Sequence, residues 1–410
     1  MKTEISVSLL ATTVGREADE ILRACVHCGF CTATCPTYQV LGNELDSPRG
    51  RIYLIKSMLE GEEATGITRQ HLDRCLSCQA CETTCPSDVN YHRLLDIGRQ
   101  EIERRAPRPL FERLQRWALT QLMPYRRRFT PLLRMGQLFR SFVPAALRSH
   151  VPPRGERLKA PRVSHTRKVI LVQGCVQPGL SPNTNAATSR VLNALGIETV
   201  SVAAETCCGA MSYHTSAREQ GLSFARRNID AWMPLLDEGV EAIVMTASGC
   251  SNFVQDYKGL LKEDPLYAEA AKRVSELLLD VSQLLVNEDL ETLQVNASKS
   301  ISWHCPCTAQ HGQKLDDVTR QVLGRLGFEL PAVVDSHLCC GSAGTNSLFP
   351  PEIAQALRTR KLAALEATNP EQIVTANIGC QLHLGSGTDT PVTHWIELVA
   401  RSMQREDTHF

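Results

Sequence analysis

The sequence predicts an α+β protein of several domains, in which a mainly helical N-terminal domain precedes two copies of one α/β domain. Three observations support this. Eight cysteines crowd into two short runs near the start, a basic and proline-rich segment follows, and a pattern of strands, helices and cysteines then occurs twice. At 410 residues the chain is long enough for several domains with cores of their own.

Two cysteine runs of the form C-x2-C-x2-C-x3-C-P occupy the first domain. This spacing is the ligand pattern of bacterial [4Fe-4S] clusters, in which three cysteines of one run share a cluster with the fourth cysteine of the other. Zinc sites and buried free thiols are the alternatives, but zinc sites normally use two C-x2-C pairs separated by a longer loop. The pattern predicts two [4Fe-4S] clusters, with Cys25, Cys28, Cys31 and Cys85 as ligands of the first and Cys75, Cys78, Cys81 and Cys35 as ligands of the second.

A helix is predicted between the two runs. Ser47 and Pro48 are residue types typical of a helix N-cap and first turn, and Ile52, Ile55 and Leu59 follow at spacings of three and four residues. The runs are also too far apart for a compact β-type ferredoxin. We therefore expect a helical two-cluster ferredoxin-type domain over residues 1–100.

Residues 101–167 are predicted to form a basic linker of short helices. Residues 101–168 contain 17 Lys or Arg against 4 Glu and no Asp, a net charge of +13 (17 − 4), so the rest of this neutral chain carries −13. One helix is predicted at 111–123. The segment is either a solvated connector or a docking surface for an acidic partner or for anionic membrane headgroups. Prolines interrupt it at positions 107, 109, 124, 131, 144, 152, 153 and 161.

Short β-rich runs alternate with helical ones after the linker, which is typical of βα units around a parallel sheet. Helices are predicted at 184–195 and 217–236. Strands are predicted at 168–172, 198–203 and 241–245 in the first copy and at 300–304, 328–334 and 372–376 in the second.

The cysteines show that this part of the chain is an internal repeat. The offsets between matching cysteines are 132, 132, 132 and 130 residues. Duplication predicts two Cys-Cys-Gly α/β domains, at 168–295 and 296–410. The matching sets are Cys175, Cys207, Cys208 and Cys250 in the first and Cys307, Cys339, Cys340 and Cys380 in the second.

Each repeated cysteine follows a predicted strand, and the carboxyl ends of parallel strands converge on one crevice. The four thiols of a repeat are therefore expected to meet. A metal or cluster site, a redox dithiol and an inert group of buried thiols remain alternatives. Cys305 has no counterpart and is expected in the core. His27 and His304 lie next to cysteines and could tune a cluster or carry a proton, although a single histidine is usually structural.

Several functions have no support in the sequence. The chain contains no Gly-x-Gly-x-x-Gly turn and no Walker A loop, so no nucleotide site is expected. Zero net charge offers no overall attraction for nucleic acid. No apolar run is long enough to span a membrane, the N-terminus makes a poor signal peptide, and cysteines at metal-ligand spacings fit a reducing compartment. A cytoplasmic protein is expected.

The residues 23–38 (RACVHCGFCTATCPTY), the residues 47–53 (SPRGRIY) and the two Cys-Cys-Gly motifs resemble those of bacterial glycolate oxidase iron-sulfur subunits. The resemblance covers essentially the whole chain. The motifs are shared with a wider family that includes heterodisulfide reductase and the iron-sulfur subunits of anaerobic glycerol-3-phosphate dehydrogenase and lactate utilisation. The residues 375–380 and 181–187 are most similar to the glycolate member.

This resemblance implies a subunit that transfers electrons and does not oxidise glycolate alone. A partner subunit carrying FAD would oxidise glycolate to glyoxylate, and the two clusters would pass electrons toward a membrane or quinone acceptor other than NAD or oxygen. The protein would be cytoplasmic or peripheral on the cytoplasmic face of the inner membrane. Alternatives are a lactate or glycerol-3-phosphate dehydrogenase subunit, a heterodisulfide reductase-like catalytic subunit, and a cluster-stabilised scaffold or iron sensor.

One departure from the family pattern concerns the repeats. In heterodisulfide reductase each Cys-Cys-Gly repeat ends in a C-x2-C pair, whereas the first position of this pair is Ala247 in one repeat and Asn377 in the other. A five-cysteine noncubane cluster is therefore not expected. Four cysteines per repeat remain to bind a further cluster or metal.

Overall fold

The computed structural model describes residues 1–142, 157–161, 163–343 and 351–404. The chain forms two compact units. The first contains Met1–Trp117, Gln310–Gly312 and His337–Lys361, and the second contains Ala118–Ala309, Gln313–Ser336 and Leu362–Phe410. The division into four predicted domains stays a prediction. Residues 143–156 and 162 of the predicted linker, with the prolines at 144, 152 and 153, lie outside the described residues.

Helices build the N-terminal part of the first unit, as predicted. The predicted helix between the cysteine runs is confirmed as Pro48–Leu59, and the Ser47 hydroxyl accepts a hydrogen bond from the Gly50 amide at 3.0 Å, which caps it. The other α-helices up to Ala106 are Val7–Leu10, Thr13–Ala24, Phe30–Ala33, Pro36–Leu41, Gly66–Asp73, Ala80–Thr83 and Tyr91–Arg105.

The core of the first unit lies where the helices Thr13–Ala24, Pro48–Leu59 and Tyr91–Arg105 meet. Leu22, Ile55 and Leu94 are fully buried there. A Cβ atom added to Gly98 would lie only 2.6 Å from the Ile55 side chain, so this glycine allows Pro48–Leu59 and Tyr91–Arg105 to pack closely. Several of the cysteines predicted as cluster ligands belong to this core.

The basic segment forms the helices Leu110–Leu122 and Arg126–Leu138, followed by the 3-10 turn Arg140–Phe142. The first agrees with the predicted helix at 111–123. The second continues through Pro131. No helix among the described residues combines the length and the apolar character needed to cross a bilayer.

Two parallel sheets form in the second unit. The first has the order β2-β1-β3-β4, with β1 at Arg167–Leu171, β2 at Ile197–Val200, β3 at Ala242–Met245 and β4 at Leu278–Asp280. The second has the order β5-β6-β7, with β5 at Ile301–His304, β6 at Gln372–Thr375 and β7 at Val392–His394.

The predicted α/β character of both repeats is confirmed. The predicted helices at 184–195 and 217–236 correspond to Asn183–Ala194 and Arg218–Asp237. The remaining α-helices after β1 are Gln177–Leu180, Ala210–His214, Ser248–Gln255, Tyr257–Leu260, Ala268–Glu276, Val281–Leu285, Asp316–Arg325, Pro351–Glu366, Ile378–Gly385 and Trp395–Ser402.

One predicted strand is wrong. The segment 328–334 has no strand in the structure, although its counterpart in the first repeat is β2. Pro331 lies in its middle and cannot donate a backbone hydrogen bond to a sheet. Phe328 and Val333 are buried even so. The apolar residues that suggested a strand therefore pack as irregular chain. The short strands β4 and β7 were not predicted.

The two sheets share one apolar core within the second unit. It includes Val169 and Val244 from the first sheet and Trp303 and Val374 from the second. The Ser248 amide also donates to the Ala376 carbonyl at 3.2 Å, which joins the loop after β3 to the loop after β6. The carboxyl ends of the central strands of both repeats thus lie together.

His394, the last residue of β7, links this strand to the loop after β3. Its ring lies fully inside the unit, where Nε2 donates to the Thr246 carbonyl at 2.8 Å and Nδ1 accepts from the Ile396 amide at 3.2 Å. Burial lowers the pKa of His394 to about 4, against a smaller raising effect of the Thr246 carbonyl. The ring is therefore neutral in the folded protein near neutral pH.

We predict that acid destabilises the second unit through this histidine. Between pH ~6.5 and ~4 the unfolded chain binds a proton at His394 that the folded chain does not, so the free energy of unfolding falls, by about 2 kcal/mol at pH ~5. Urea unfolding at pH ~7 and ~5, followed by tryptophan fluorescence, checks this. His394→Asn should lose less stability over the same interval. Equal losses would contradict the prediction.

Candidate metal centres

The eight cysteines of the two runs surround two cavities in the first unit. The structure places the fourth cysteine of each run with the first three of the other, and Cys81 borders both cavities. The first cavity is lined by Cys25, Cys28, Cys31 and Cys85, and the second by Cys35, Cys75, Cys78 and Cys81.

The backbones of the two runs have the same unusual conformation. His27 and Gly29 have φ values of 56° and 86°, and the matching residues Ser77 and Gln79 have φ values of 50° and 61°. Three of these four are not glycine, and the left-handed region costs such residues free energy unless the surroundings enforce it. The repeated strain indicates that both loops are shaped around something they enclose.

The two cavities differ in exposure. All four cysteines of the second cavity are buried, whereas Cys28 is exposed and Cys31 and Cys85 are half-buried. Val26 and Phe30, on either side of Cys28 in the sequence, are also exposed. The first cavity is therefore the one that a partner protein can approach.

Burial controls the protonation of these thiols. It raises the pKa of Cys31 to about 11, although the Arg49 amide donates to this sulfur and opposes the rise. It raises the pKa of Cys81 further, with a contribution from the neighbouring Cys78. A metal that binds such sulfurs removes their protons outright.

A buried ion network supports the second cavity. Arg51 is 1% exposed, donates from Nε to the His71 carbonyl at 2.7 Å and from Nη1 to the Thr37 hydroxyl at 3.1 Å, and pairs with Asp46 at 3.4 Å. Asp46 also pairs with Arg74 at 3.0 Å. Two guanidinium groups thus meet one carboxylate, and the excess positive charge lies beside the second cavity.

Two hydroxyl groups reach sulfur atoms of the second cavity. The Tyr91 hydroxyl donates to Cys75 Sγ at 3.6 Å, and the Thr37 hydroxyl lies 3.2 Å from Cys35 Sγ. Burial raises the pKa of Tyr91 well above its usual value, so the phenol keeps the proton that it donates. Hydrogen bonds to sulfur and positive charge are the means by which a protein raises the reduction potential of a cluster.

The structure brings the four cysteines of the first repeat together in the second unit. Cys207 has thiol neighbours in Cys175 and Cys208, and Cys208 has a further one in Cys250. The hydrogen bond with Cys207, followed by burial, raises the pKa of Cys175 well above its usual value. The pKa of Cys208 is also raised, because Cys250 and burial outweigh the lowering effect of Cys207.

The turn that carries the two adjacent cysteines is fixed from several sides. The Tyr257 hydroxyl donates to the Cys208 carbonyl at 2.6 Å, and the Asn228 amide donates to the Cys207 carbonyl at 2.9 Å. Gly209 has φ of 98°, and a Cβ there would lie 2.5 Å from the Gly221 carbonyl oxygen. Only glycine fits, which explains the third residue of the Cys-Cys-Gly motif.

The second repeat has the same turn. Gly341 has φ of 91°, and its amide donates to Cys339 Sγ at 3.4 Å, just as the Gly209 amide donates to Cys207 Sγ at 3.5 Å. The four cysteines of this repeat are divided between the units: Cys339 and Cys340 belong to the first, and Cys307 and Cys380 to the second.

Two predicted candidates lie near these cysteines of the second unit. Cys305 is buried in the apolar core, where burial and then Asp316 raise its pKa. His304 is also buried, and its ring nitrogen lies within 4.8 Å of Cys380 Sγ. His304 is thus the better placed of the two to act as a ligand. His27 lines the first cavity.

The positions where the wider family has a further cysteine have other roles here. Asn377 caps the helix Ile378–Gly385, accepting from the Gly379 amide at 2.8 Å, and donates to the Ser248 hydroxyl at 3.1 Å. Ala247 precedes the helix Ser248–Gln255 and has no side-chain ligand atom.

Several residues that hold these sites were not predicted from the sequence: Arg51, Asp46, Tyr91, Asn228 and Tyr257. Arg51 had a usable signal, since it adjoins the apolar positions Ile52 and Ile55 on a helix whose buried face it shares. The others had none, because they contact partners that are 16 or more positions away along the chain, and such contacts leave no local pattern.

The donor sets fit thiolate-bound clusters. Each cavity of the first unit offers at least four sulfurs, and no carboxylate of the described residues lines either one. Sulfur ligands in fours favour iron-sulfur clusters or zinc over magnesium or calcium, and the run spacing favours iron-sulfur. The first repeat offers four thiols as well, and two of them, Cys207 and Cys208, lie in a rigid turn.

Comparison with known proteins agrees with this chemistry. Residues 21–89 match a 4Fe-4S dicluster domain, and residues 169–255 and 301–385 each match a cysteine-rich domain. The glycolate oxidase iron-sulfur subunit of Escherichia coli K12 is 54% identical over 407 residues, covering 99% of this chain and 100% of the relative. The chain belongs to the glycolate oxidase iron-sulfur subunit family. The predicted family and the predicted iron-sulfur domain are confirmed.

Further relatives of this chain are similar over much or part of its length. The probable glycolate oxidase iron-sulfur subunit of Bacillus subtilis is 31% identical, covering 95% of this chain and 94% of the relative. Lactate utilization protein A of Bacillus licheniformis is 25% identical, covering 53% and 90%. A hypothetical protein from Helicobacter pylori has a similar fold, with a TM-score of 0.57 at 9% identity over 97% of this chain and 74% of the other.

Proposed function

We propose that this chain is the electron-transfer subunit of a complex that oxidises glycolate to glyoxylate. Its partner subunits carry FAD and remove the electrons from glycolate, and this chain passes them toward a membrane or quinone acceptor that is neither NAD nor oxygen. The observation that carries the proposal is the pair of four-sulfur cavities in a chain that is 54% identical to a glycolate oxidase iron-sulfur subunit.

Each [4Fe-4S] cluster, when bound, would accept and donate one electron at a time. Two such clusters could therefore take up, one after the other, the two electrons of a reduced flavin. Cys25, Cys28, Cys31 and Cys85 would bind the first, and Cys75, Cys78, Cys81 and Cys35 the second. The exposure of Cys28 and its apolar neighbours supports exchange with a protein partner at the first site. Arg51 and Tyr91 support a higher potential at the buried second site.

The cysteine-rich repeats are a further candidate site. We assign a third metal or cluster to Cys175, Cys207, Cys208 and Cys250, on the strength of four converging thiols and a turn held by Tyr257 and Asn228. The candidate set of the second repeat remains Cys307, Cys339, Cys340 and Cys380. His304 joins it because its ring nitrogen lies within 4.8 Å of Cys380 Sγ. The peripheral position at the cytoplasmic face of the inner membrane is part of the same proposal.

The relay is tested with the chain co-purified with its partner subunits. Cys28→Ser and Cys78→Ser should each reduce glycolate-dependent dye reduction to near background and remove one electron paramagnetic resonance signal, because each removes a ligand of one cluster. Cys305→Ala is the matched cysteine control and should keep both signals. Full activity in the two serine variants would refute the relay. Lactate and glycerol 3-phosphate in the same assay test the alternative substrates.

Occupancy of the repeats is tested by an anaerobic iron and zinc analysis. Two clusters alone give about eight irons per chain, and a third metal or cluster gives more metal than that. We expect Cys208→Ser to remove only the excess and to leave both cluster signals of the first unit unchanged. An analysis of about eight irons and no zinc in the unaltered chain would exclude the third site.

Tyr91→Phe tests the tuning of the second cluster. The phenylalanine keeps the packing and removes one hydrogen bond to Cys75 Sγ. Loss of a hydrogen bond of ordinary net strength should lower the midpoint potential of a one-electron couple by roughly 20–60 mV. A redox titration followed by electron paramagnetic resonance should show this fall for the second cluster alone. A shift of the first cluster instead would reverse the assignment of the two sites.

A further inference from the structure

The helix Arg126–Leu138 and the 3-10 turn after it, which we call the basic helix segment, expose an apolar face. Leu132, Met135 and Phe139 recur at spacings of three and four residues and are all exposed. Leu138 and Phe142 extend this face and are 71% and 85% exposed. Large side chains grouped on one face of a surface helix mark an interaction site rather than the scattered apolar residues of an ordinary surface.

Only positive charge accompanies this apolar face. Residues 126–142 contain five arginines and no acidic residue. Arg127 and Arg134 are exposed, and neither forms an ion pair within the described part of the chain. They are seven residues apart, so they lie along one edge of the helix. Their charges are therefore available to an external anion.

The opposite face of the segment is fixed to the first repeat. Leu133 is buried, and Leu133 and Phe129 pack against Gly179, where a Cβ would lie 3.0 Å from Leu133. Arg126 donates to the Gly174 carbonyl at 2.7 Å and pairs with Glu205 at 3.2 Å. The segment is thus a firmly attached surface feature, and its anchor is the loop that carries Cys175.

We propose that the basic helix segment docks this protein on a membrane surface that contains anionic phospholipid. A short helix with apolar residues on one face and arginines along its edge lies in the interface, with its apolar side chains among the acyl chains and its arginines at the phosphates. A helix of 13 residues is too short to span the bilayer. A protein partner is less suited to this face. Protein surfaces usually carry charges of both signs, whereas the charges beside this face are all positive.

This docking deepens the proposed function, since it places the first repeat next to the membrane that holds the acceptor. The loop with Cys175 lies under the segment. Cys175 and its three neighbouring thiols are therefore a candidate site close to the acceptor.

The test measures sedimentation of the whole complex with vesicles. We expect binding to vesicles of phosphatidylcholine with phosphatidylglycerol, weaker binding to phosphatidylcholine alone, and release as salt rises from ~0.1 M to ~0.5 M. Arg127→Glu with Arg134→Glu should weaken binding at least about tenfold. Leu138→Asp should weaken it as well, because it removes an inserted side chain. Arg227→Glu and Leu266→Asp, equally exposed positions elsewhere on the second unit, are the matched controls.

Three results would overturn the docking proposal. The first is equal binding to both kinds of vesicle, and the second is unchanged vesicle binding in the segment variants. The third is loss of the partner subunits from the Leu138→Asp variant, which would make this face a protein interface. Dye reduction by the complex in solution separates this proposal from the relay. Segment variants that keep dye reduction but lose vesicle binding support docking, whereas normal vesicle binding without dye reduction refutes only the relay.

Discussion

The fold of the first unit depends on the grouping of cysteine sulfurs in its interior. Burial holds the pKa of Cys31 at about 11 and that of Cys81 higher still, so without a metal these side chains are protonated thiols that gain little from one another. A bound metal takes them as thiolates, and its binding free energy then contributes directly to folding. This explains how residues such as His27 and Ser77 persist with left-handed backbones. The loops, the helix starts after them and the core around them all depend on this coupling.

The crossing of the two runs adds a second constraint. Because Cys85 lies with the first run and Cys35 with the second, neither cavity is complete until residues at least 40 positions apart are packed together. The helix Pro48–Leu59 sits between them and carries Arg51, whose guanidinium ties Thr37 before this helix to the His71 carbonyl after it. Arg51 therefore serves both the fold and the charge of the second site.

The second unit is organised by apolar burial instead. Its two sheets share a core, and the loops after β3 and β6 are joined by the hydrogen bond from the Ser248 amide to the Ala376 carbonyl. The repeats have nevertheless diverged. The first keeps a fourth strand, β2, and a turn locked by Tyr257, whereas the second has lost the strand at 328–334. The first repeat accordingly offers the better-formed candidate metal site, and the basic helix segment attaches to that repeat.

Local patterns account for what the sequence could predict. Cysteine spacing, the Ser47 cap and the Cys-Cys-Gly turn each depend on neighbours within a few residues, so they were predictable. The prediction of a strand at 328–334 was wrong because its apolar residues are buried without pairing to a neighbouring strand. The strands β4 and β7 were not predicted because they are too short to show an alternating pattern. Arg51 and Tyr91 were missed because their partners are distant in sequence. In each case a tertiary contact decided the outcome.

The charge of the basic segment shows how far such contacts change a conclusion drawn from composition. Its net +13 suggests a large docking surface, yet many of its arginines are occupied internally. Arg108 is buried between Asp73 and Glu103, Arg116 pairs with Asp73 at 3.3 Å, and Arg126 pairs with Glu205. Ion pairs of this kind fix the segment to its own chain and leave no charge for a partner. Of the charge that these pairs leave available, Arg127 and Arg134 lie on the exposed edge of the basic helix segment, beside its apolar face. This coincidence is what distinguishes a membrane-docking helix from a solvated linker.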